Sequence, residues 1–452
     1  MRNRITKSIE EQRAFFRTNK TKSVEFRLEQ LSKLKKNIKK RQPDIEKALW
    51  DDLRKSPQEV YLTEISVVLQ ELDNHIRNLK KWAKPQKAQT PLHLLPSRSG
   101  VVCEPLGVAL IVAPWNYPFQ LIINPLIGAI SSGCCAMLKP SPNAGATASL
   151  VEEMIRELFE PHYIDIFQGG RDVNELLFGQ KFDIIFFTGS TELGKIVCKA
   201  AAENLTPVVL ELGGKSPCIV DSDANLEIAA RRIVWGKFIN AGQTCIAPDY
   251  LFVHKSVKSK LLPLLKSAIT EMYGETVSES PVYPRIVSDD SVARLKGLML
   301  EGDIYFGGEV NESDKYIAPT IIDNIDSNSM IMQQEIFGPL LPIMTFNDII
   351  EVFDYLYAQQ KPLALYYFGK SAASVMGKTS SGGVCINDTL MHITNHNIPF
   401  GGVGSSGMGK YHGKDSFLAF SNRRGVVWSP VWIDMPFKYA PFKYFKFVKQ
   451  II

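Results

Sequence analysis

Cys245 is the residue whose type and setting most directly suggest covalent chemistry. It lies in the segment FINAGQTCIAPDY, directly after Gln243 and Thr244, and these small and polar neighbours predict a loop. A cysteine thiolate is a strong nucleophile where it is exposed and electrostatically favoured. A lone cysteine in a long chain is more often inert packing, so the segment by itself leaves both interpretations open.

Two further polar residues follow apolar runs that are typical of strands. Glu211 lies at the end of the run VVLEL, one residue before two glycines, where a carboxylate is placed for general base catalysis. Asn116 follows the run VALIVAP in the segment APWNYPF, and a rigid side-chain amide there could donate to a developing oxyanion. Taken singly, each is more simply explained as a solvated strand-end glutamate or an asparagine in a turn.

The segment FTGSTELGK indicates a phosphate-binding turn. Gly189 follows the apolar run DIIFF, and Gly194 opens a predicted helix. Two glycines five residues apart at a strand-to-helix turn let backbone amides and a helix N-terminus approach a pyrophosphate. An ordinary turn, with Ser190 or Thr191 capping the helix, explains the same pattern equally well.

The elements that must hold these residues alternate between strand and helix. Residues 1 to about 82 predict helices, because apolar residues recur near helical spacing with Lys and Arg between them. From Gly107 onward, helical patterns alternate with four short apolar runs, VALIVAP, CCAMLKP, IDIFQGG and DIIFFTGS. The alternation restarts near Glu211 and continues to about Ser421. The sequence therefore predicts two doubly wound α/β domains.

Composition places the chain among ordinary globular proteins. Its 452 residues exceed what one hydrophobic core usually holds, and 45% of them are apolar against 22% charged. The formal net charge of +5 is small and scattered, so it gives nucleic-acid binding no support. The seven cysteines show neither a disulfide framework nor a metal-type CxxC pair, so we expect a reducing, cytoplasmic compartment and no metal.

No segment predicts export or membrane insertion. The N-terminal residues MRNRITKSIEEQRAFF lack the apolar segment of a secretory signal. The longest apolar stretch, residues 101–137, is interrupted by several prolines and asparagines. It therefore does not supply the roughly 20 uninterrupted apolar residues of a membrane span.

The site segments occur with other long motifs in a fixed order, and this pattern resembles the aldehyde dehydrogenase superfamily, most closely its class 3 branch. The resemblance runs from Pro105 to Ser421 and is carried by APWNYPFQL, LKPSP, FTGSTELGK, LELGGKSP, GQTCIAPDY, EIFGP, KPLALY and PFGGVGSSGMGKYHGKDSF. It implies a Rossmann-like cofactor domain, a catalytic domain and a small bridging β-hairpin. The implied boundaries are 1–82 with 104–210 for the cofactor domain, 211–421 for the catalytic domain, and 83–103 with 422–452 for the bridging segment and tail.

The resemblance also implies roles for the reacting groups. Cys245 would attack the aldehyde carbonyl, and Asn116 with the backbone amide of Cys245 would stabilise the oxyanion of the resulting thiohemiacetal. Glu211 or Glu335 would activate the water that hydrolyses the thioester and releases the acid.

A nicotinamide dinucleotide is the implied cofactor. The resemblance implies that Lys139 reaches the adenosine ribose, that the FTGSTELGK turn holds the pyrophosphate, and that the EIFGP segment lies at the nicotinamide end. The cofactor residues so implied are Lys139, Gly189, Ser190, Gly194, Glu335 and Phe337. One departure concerns Pro142, which stands where many relatives carry an acidic residue for the ribose hydroxyls. Without that carboxylate a 2′-phosphate is not repelled, so we expect use of both NAD and NADP.

Three large, mostly apolar residues are placed near the site by the resemblance. They are Tyr117, Ile246 and Phe400. No cationic residue is evident among them, which argues against a short dicarboxylic semialdehyde. Medium-chain aliphatic or aromatic aldehydes are the substrates that this pocket favours.

The C-terminal tail is aromatic and basic and has two interpretations. Its aromatic residues are Phe437, Tyr439, Phe442, Tyr444, Phe445 and Phe447. Such a tail could lie on a membrane surface. Class 3 relatives end in similar tails that pack on the protein, and we favour that alternative. By the same resemblance, residues 83–103 and the segment after 421 would join two subunits into a homodimer.

Two other functional classes remain as alternatives to a dehydrogenase. A cysteine nucleophile with a nearby base could act as an esterase, which would turn over without cofactor. The fold could also serve a non-catalytic NAD(P)-binding protein, which would bind cofactor tightly without turnover.

Overall fold

The N-terminal region is helical, as the sequence predicts. The computed structural model describes residues 1–446 and 449. Leu31, Leu34 and Ile38 of the predicted helical pattern are fully buried. One π-helical turn, Tyr61–Ile65, joins the fourth and fifth helices. The helices are α1 (Arg2–Arg17), α2 (Val24–Lys40), α3 (Gln42–Leu53), α4 (Pro57–Val60) and α5 (Ser66–Trp82).

A small antiparallel sheet follows. Strand β1 (Gln86–Ala88) pairs with β2 (Arg98–Pro105), as expected for a bridging hairpin. The other edge of β2 pairs along its whole length with the segment Ser421–Trp428. The predicted hairpin is therefore part of a three-stranded sheet that includes a strand from the far end of the chain.

The first α/β unit contains the four apolar runs as strands, which confirms that prediction. Four of its five strands are buried at every residue, because helices cover both faces of the sheet. Its elements are β3 (Val108–Val112), α6 (Gln120–Ser132), β4 (Cys135–Lys139), α7 (Gly145–Leu158), β5 (Ile164–Ile166), α8 (Arg171–Phe178), β6 (Ile184–Thr188), α9 (Thr191–Ala202) and β7 (Val208–Glu211).

Helix α6 was not predicted from the sequence. Every one of its residues is buried, so it is apolar on all sides and lacks the amphipathic period that reveals a helix. Pro125 lies inside it and suggests an interruption at the level of sequence. Packing against the sheet and against α5 and α2 outweighs this local preference.

The second α/β unit is longer and has more short elements. They are β8 (Pro217–Val220), α10 (Leu226–Phe238), β9 (Tyr250–His254), α11 (Lys255–Tyr273), α12 (Asp289–Met299), β10 (Asp303–Phe306), β11 (Val310–Asn311), β12 (Tyr316–Ile317), β13 (Thr320–Asp323), α13 (Met330–Gln333), β14 (Leu340–Phe346), α14 (Ile349–Ala358), β15 (Ala364–Phe368), α15 (Ala372–Lys378) and β16 (Gly383–Ile386). The described chain then adds β17 (Gly407–Met408), α16 (Lys414–Ala419) and β18 (Ser421–Trp428).

Both large sheets are mainly parallel and carry one antiparallel edge strand. The first has the order β17-β7-β6-β3-β4-β5, and the second β10-β13-β14-β9-β8-β15-β16. In the first sheet the chain moves outward from β3 in one direction and returns to the other side of β3 with β6. The strand order therefore reverses between β3 and β6, which is where ligands of doubly wound sheets bind. The predicted α/β fold class is confirmed.

The late segment of the chain returns to the first unit. Strand β17 pairs antiparallel with β7, with Gly407 opposite Glu211 and Met408 opposite Leu210. The ring of Phe420, just after α16, packs on α6, where a Cβ atom at Gly128 would lie 3.0 Å from it. The two α/β units are thus connected both by the chain at residues 212–216 and by this returning segment. The domain boundaries themselves remain a prediction.

The described part of the tail projects from the chain. Trp432 is 75% exposed, and Tyr439, Phe442, Tyr444 and Phe445 are about half exposed. Over the described residues of the single chain, the tail therefore does not show the close packing on the protein that we favoured from the sequence. Phe447 lies outside them. Among the helices that the structure describes, none is long and apolar enough to cross a membrane.

Candidate active site

The segments that carry the predicted site residues begin side by side at one edge of the first sheet. Val112 at the end of β3 lies opposite Lys139 of β4 and Phe187 of β6. Thr188 at the end of β6 lies opposite Glu211 of β7. Because the carboxyl ends of parallel strands share an edge, the loops after these four strands converge at the point where the strand order reverses.

Two cavities meet at this edge. The strand-end cavity has a volume of about 200 Å³ and is lined by Pro114, Trp115, Asn116, Leu121, Thr188, Gly189, Ser190, Glu211, Leu212, Gly213, Cys245, Glu335 and Phe337. The apolar cavity, of about 460 Å³, lies on the other side. Four residues line both cavities, namely Leu121, Thr188, Glu211 and Cys245. The predicted nucleophile and the predicted base therefore stand where the two cavities join.

The loop that carries Cys245 is held by hydrogen bonds from the Gln243 side chain to backbone carbonyl groups. After α10 the chain makes a short turn in which Asn240 (φ 53°) and Ala241 (φ 50°) adopt the left-handed region. The buried Gln243 side chain donates to the carbonyl oxygens of Asn240 (3.1 Å) and Arg285 (3.0 Å). These contacts fix the turn from inside, so Cys245 is presented by a rigid loop rather than by a mobile one.

Asn116 and Tyr117 face the Cys245 loop from the turn after β3. The buried Asn116 side chain donates from Nδ2 to the carbonyl oxygen of Gln243 at 3.0 Å. The Tyr117 hydroxyl lies 2.6 Å from Thr244 Oγ1, directly before Cys245. Asn116 therefore has a fixed orientation beside the cysteine and uses only one of its two N–H groups in this contact.

Glu211 is a buried carboxyl without a hydrogen-bond partner. It is 3% exposed, and neither of its oxygens is bonded to a protein group. Burial raises the pKa of Glu211 well above its usual value, an effect that Lys410 partly opposes. Gly401 leaves room for the carboxyl, because a Cβ atom there would lie 2.7 Å from Oε1. An unbonded carboxyl with a raised pKa beside a cysteine is suited to accept a proton from water.

The environment of Cys245 favours the protonated thiol over the thiolate. Burial raises its pKa, and the nearby carboxyl groups of Glu335 and Glu211 raise it further. Since the thiolate is the nucleophilic form, the proton must leave as the sulfur attacks. Groups with raised pKa values at the same junction can take up that proton.

Glu335 and Phe337 form the far wall of the strand-end cavity. Burial and the neighbouring Asp249 carboxylate raise the pKa of Glu335 to about 8. Its carboxylate packs against Gly213, where a Cβ atom would overlap the side-chain oxygens. Phe337 has a left-handed backbone (φ 48°), and its ring meets that of Trp115 edge to face at 5.4 Å.

The segment that carries these two residues is held by half-buried cationic side chains. Lys215 Nζ donates to the carbonyl oxygens of Ile331 (2.8 Å) and Gln334 (3.0 Å) and pairs with Asp249. Arg294 Nη2 donates to the carbonyl oxygen of Ile336 at 2.6 Å. The position of the wall is therefore set by side chains of the second α/β unit.

The apolar cavity contains the three predicted pocket residues and many that were not predicted. Tyr117, Ile246 and Phe400 line it. The further lining comes from the π-helical turn and α5, from α10, and from the segment after β16. These residues are Leu62, Thr63, Ser66, Val67, Gln70, Trp235, Ile239, Leu390, Met391, Ile393, Thr394, His396 and Tyr411, and Gln120 and Thr244 also line the cavity. Leu62 and Met391 are 64% and 44% exposed, so they mark the opening of the cavity.

Comparison with known proteins identifies the family. The aldehyde dehydrogenase family model matches residues 2–426. The 4,4'-diaponeurosporen-aldehyde dehydrogenase of Staphylococcus aureus is 45% identical, with 99% of each chain covered.

The chain belongs to the aldehyde dehydrogenase family.

Its relatives include class 3 enzymes, which confirms the resemblance found in the sequence. The dimeric NADP-preferring aldehyde dehydrogenase of Rattus norvegicus is 43% identical over 94% of each chain. The solved substrate-bound structure of Staphylococcus aureus AldH superimposes with a TM-score of 0.97, at 45% identity and 99% coverage of each chain. The protein is an enzyme that oxidises aldehydes to carboxylic acids with NAD or NADP.

The strand-end cavity of this aldehyde dehydrogenase contains a turn that fits a pyrophosphate. Gly189 and Ser190 line it at the N-terminus of α9, where Ser190 Oγ accepts the N–H of Leu193 at 3.4 Å. A Cβ atom at Gly189 would lie 2.6 Å from the Phe187 ring. A larger residue would therefore shift the turn at the N-terminus of α9. A glycine turn at a helix N-terminus is a favourable site for a pyrophosphate.

Two predicted cofactor residues do not line either cavity. Gly194 lies in the first turns of α9 against Leu212, where a Cβ atom would come within 2.7 Å of Leu212 Cδ2. It lets the helix approach the sheet closely. Lys139 ends β4, is 1% exposed, and donates from Nζ to the Pro140 carbonyl oxygen at 2.8 Å. Burial lowers the pKa of Lys139 to about 8.

Proposed function

We propose that this enzyme oxidises apolar aldehydes through a covalent bond to Cys245. The observation that carries the proposal is the position of Cys245, which lines both the strand-end cavity and the apolar cavity. An aldehyde carbon at the sulfur is then within reach of a group held in the first cavity, while its chain occupies the second. Proximity of this kind accounts for a large part of catalysis in two-substrate reactions.

Asn116 stabilises the charge that develops on the aldehyde oxygen. As Cys245 Sγ bonds to the carbonyl carbon, the carbon–oxygen double bond becomes a single bond and the oxygen becomes an anion. The Asn116 Nδ2 group next to the Cys245 loop has one N–H that remains free to donate to this oxygen. Together with the backbone amide of Cys245, it forms an oxyanion hole.

The strand-end cavity would hold the pyrophosphate and the nicotinamide end of the cofactor. Gly189 and Ser190 would hold the pyrophosphate at the N-terminus of α9, and Gly194 would support this turn by letting the helix pack closely on Leu212. The family resemblance assigns Lys139 to the adenosine ribose, and Glu335 with Phe337 would border the nicotinamide end. A nicotinamide bound there would supply the acceptor for the hydride that the substrate carbon loses on oxidation.

Glu211 activates water for hydrolysis of the thioester. Its carboxyl lines both cavities, has no competing hydrogen bond, and has a pKa raised by burial. It takes a proton from water as the oxygen attacks the acyl carbon, and the bond to Cys245 Sγ breaks with release of the acid. Glu335 lines only the strand-end cavity, which favours Glu211 for this step.

The substrates are aldehydes with a medium to long aliphatic chain or an aromatic group. The apolar cavity is within the usual size range of ligand pockets, and most of its lining residues are apolar. The Staphylococcus aureus relative is named for 4,4'-diaponeurosporen-aldehyde. Both observations support an apolar substrate rather than a charged semialdehyde.

Both NAD and NADP serve as cofactor, and the enzyme is a cytoplasmic homodimer. Pro142 provides no carboxylate to repel a 2′-phosphate, and the rat relative is named as NADP-preferring and dimeric. Strand β18 has one free edge in the described chain, where Val427 and Trp428 are about half exposed. A second subunit that covers this edge would bury them.

Spectroscopy of the reduced nicotinamide tests the proposed function. Purified enzyme is given aliphatic aldehydes of increasing chain length, with NAD or NADP, beside the Cys245→Ala variant. We expect turnover that depends on the aldehyde, improves with chain length and is lost in Cys245→Ala. Cys198→Ala is the matched control, because Cys198 is half-buried on α9 and lines neither cavity. Full activity of Cys245→Ala would exclude the covalent mechanism.

A further inference from the structure

The main-chain carbonyl of Asn116 lies at the centre of a buried network that the steps above do not use. Its oxygen accepts two hydrogen bonds of 2.8 Å, one from Lys55 Nζ and one from Asn240 Nδ2. Lys55 and Asn240 are both 0% exposed. Asn240 belongs to the turn before Cys245, whereas Lys55 lies just after α3. One carbonyl therefore joins the N-terminal helices, the turn after β3 and the nucleophile loop.

The charge of Lys55 is balanced by Glu64 of the π-helical turn. Lys55 Nζ lies 2.8 Å from Glu64 Oε1, and both side chains are completely buried. The other oxygen of Glu64 accepts the N–H groups of Phe119 (3.1 Å) and Gln120 (2.8 Å) at the start of α6. A buried ion pair of this kind is seldom better for stability than apolar residues of the same size. Its contacts here are with the segment that carries Asn116.

Lys55 also contacts the next residue of the same turn. Its ammonium group lies 4.0 Å from the centre of the Tyr117 ring, within the range of a cation–π interaction. The Tyr117 hydroxyl in turn lies 2.6 Å from Thr244 Oγ1, next to Cys245. Lys55 thus supports both residues that face the nucleophile, through the backbone of one and the ring of the other.

We propose that Lys55 is a positioning residue for the reaction, which holds the Asn116 amide in its place beside Cys245. The inference rests on the proposed role of Asn116 as an oxyanion donor. The Asn116 side chain is short, so any shift of its backbone moves Nδ2 by a similar distance. A displacement of about 1 Å in a reacting group costs up to about 100-fold in rate. Lys55 itself lines neither cavity.

The full-length Lys55→Met variant tests this role, because methionine preserves the length of the side chain without its charge. We expect kcat to fall by about 10- to 100-fold, both for aldehyde oxidation and for cofactor-independent hydrolysis of an activated ester. The KM for NAD should remain within about twofold, since a tenfold change requires 1.4 kcal/mol of binding energy at the cofactor. An unchanged kcat in folded Lys55→Met would overturn the proposal.

Arg27→Met is the matched control for loss of a buried cation. Arg27 also donates to backbone carbonyl oxygens, those of Thr21 (2.8 Å) and Ser131 (3.2 Å), and it lines neither cavity. Its removal should lower thermal stability and leave kcat unchanged. If Lys55→Met does not fold, the pair Lys55→Met with Glu64→Gln removes both charges of the Lys55–Glu64 ion pair and should show the same loss of kcat.

A double-mutant cycle with Asn116→Ala separates this inference from the proposed function. If Lys55 acts through Asn116, the loss caused by Lys55→Met should disappear when Asn116 is already alanine. Equal losses in both backgrounds would show that Lys55 acts independently of Asn116 and would overturn the inference alone. If Asn116→Ala leaves both oxidation and ester hydrolysis unchanged, the oxyanion role of Asn116 fails.

Discussion

The strand-end cavity and the apolar cavity share Cys245, but they are built from different parts of the chain. The strand-end cavity is formed largely by the loops at strand ends. Gly189 and Gly213 line it with backbone, because they have no side chain. The apolar cavity is formed by side chains from helices and from the segment after β16. A cavity made by backbone is sensitive to any added atom. A cavity made by side chains changes shape with each substitution.

Glu211 stands at the junction of the two cavities, so its replacement should have the largest effect beyond that of Cys245. In Glu211→Gln we expect kcat to fall by roughly 10²- to 10⁴-fold, because general base catalysis contributes about that much. The first turnover should still produce a burst of reduced nicotinamide, since hydride loss precedes hydrolysis. Rapid-mixing absorbance measures both. A normal steady-state rate of Glu211→Gln would indicate that Glu335 is the general base instead.

Gly213→Ala should disturb the strand-end cavity alone. The added methyl overlaps the Glu335 carboxylate, and overpacking of this kind costs about 1–3 kcal/mol. We expect the KM for cofactor to rise about tenfold, which corresponds to 1.4 kcal/mol, while ester hydrolysis keeps its rate. Gly297→Ala on α12 is the control, because no atom lies within 4 Å of its added Cβ. Equal effects of the two variants would contradict the distinction between the cavities.

Leu62→Asn should disturb the apolar cavity alone. Removing this apolar contact at the opening should raise the KM for long-chain aldehydes by about tenfold, since burial of a leucine side chain contributes about 1.5–3 kcal/mol. The KM for a short aldehyde and for cofactor should not change. Leu92→Asn is the control, because Leu92 is 75% exposed and lines neither cavity. A uniform rise for short and long aldehydes would mean that Leu62 does not contact the chain of the substrate.

The pH dependence of cofactor binding should give the smallest effect. Burial lowers the pKa of Lys139 to about 8, so its ammonium is charged below that pH and neutral above it. As pH rises through 8, the Kd for NADP should increase about three- to fivefold, as expected for the loss of one ionic contact. The Kd for NAD should change less. Fluorescence titration measures both, and Lys139→Met should show no such dependence on pH.

The same contrast explains what the sequence could and could not predict. The strands, the glycine turn and the residues at strand ends form local patterns, so Cys245, Glu211 and Gly189 could be placed before the structure was known. The walls of the apolar cavity have no such pattern. Leu62 and Met391 belong to an ordinary helix and an ordinary loop in sequence, and their proximity depends on how distant segments pack.

The buried network at Asn116 could also not be predicted from the sequence. Lys55 and Glu64 have the composition of a solvated helix surface, and charged residues are seldom fully buried. Helix α6 was missed for the opposite reason, because uniform burial removes the amphipathic period. In both cases the decisive fact is the tertiary environment, which local patterns do not contain.

The strand β17 has a consequence for the order in which the protein can fold. During synthesis, β7 is an unpaired sheet edge until Gly407 and Met408 have been made. The face of α6 at Gly128 likewise remains uncovered until Phe420 has been made and packs on it. Contacts between segments so far apart in sequence form slowly, and an open edge can pair with other chains meanwhile. The first unit to be made is therefore among the last to be completed. A nascent chain released before residue 407 would carry an exposed edge strand and a tendency to aggregate.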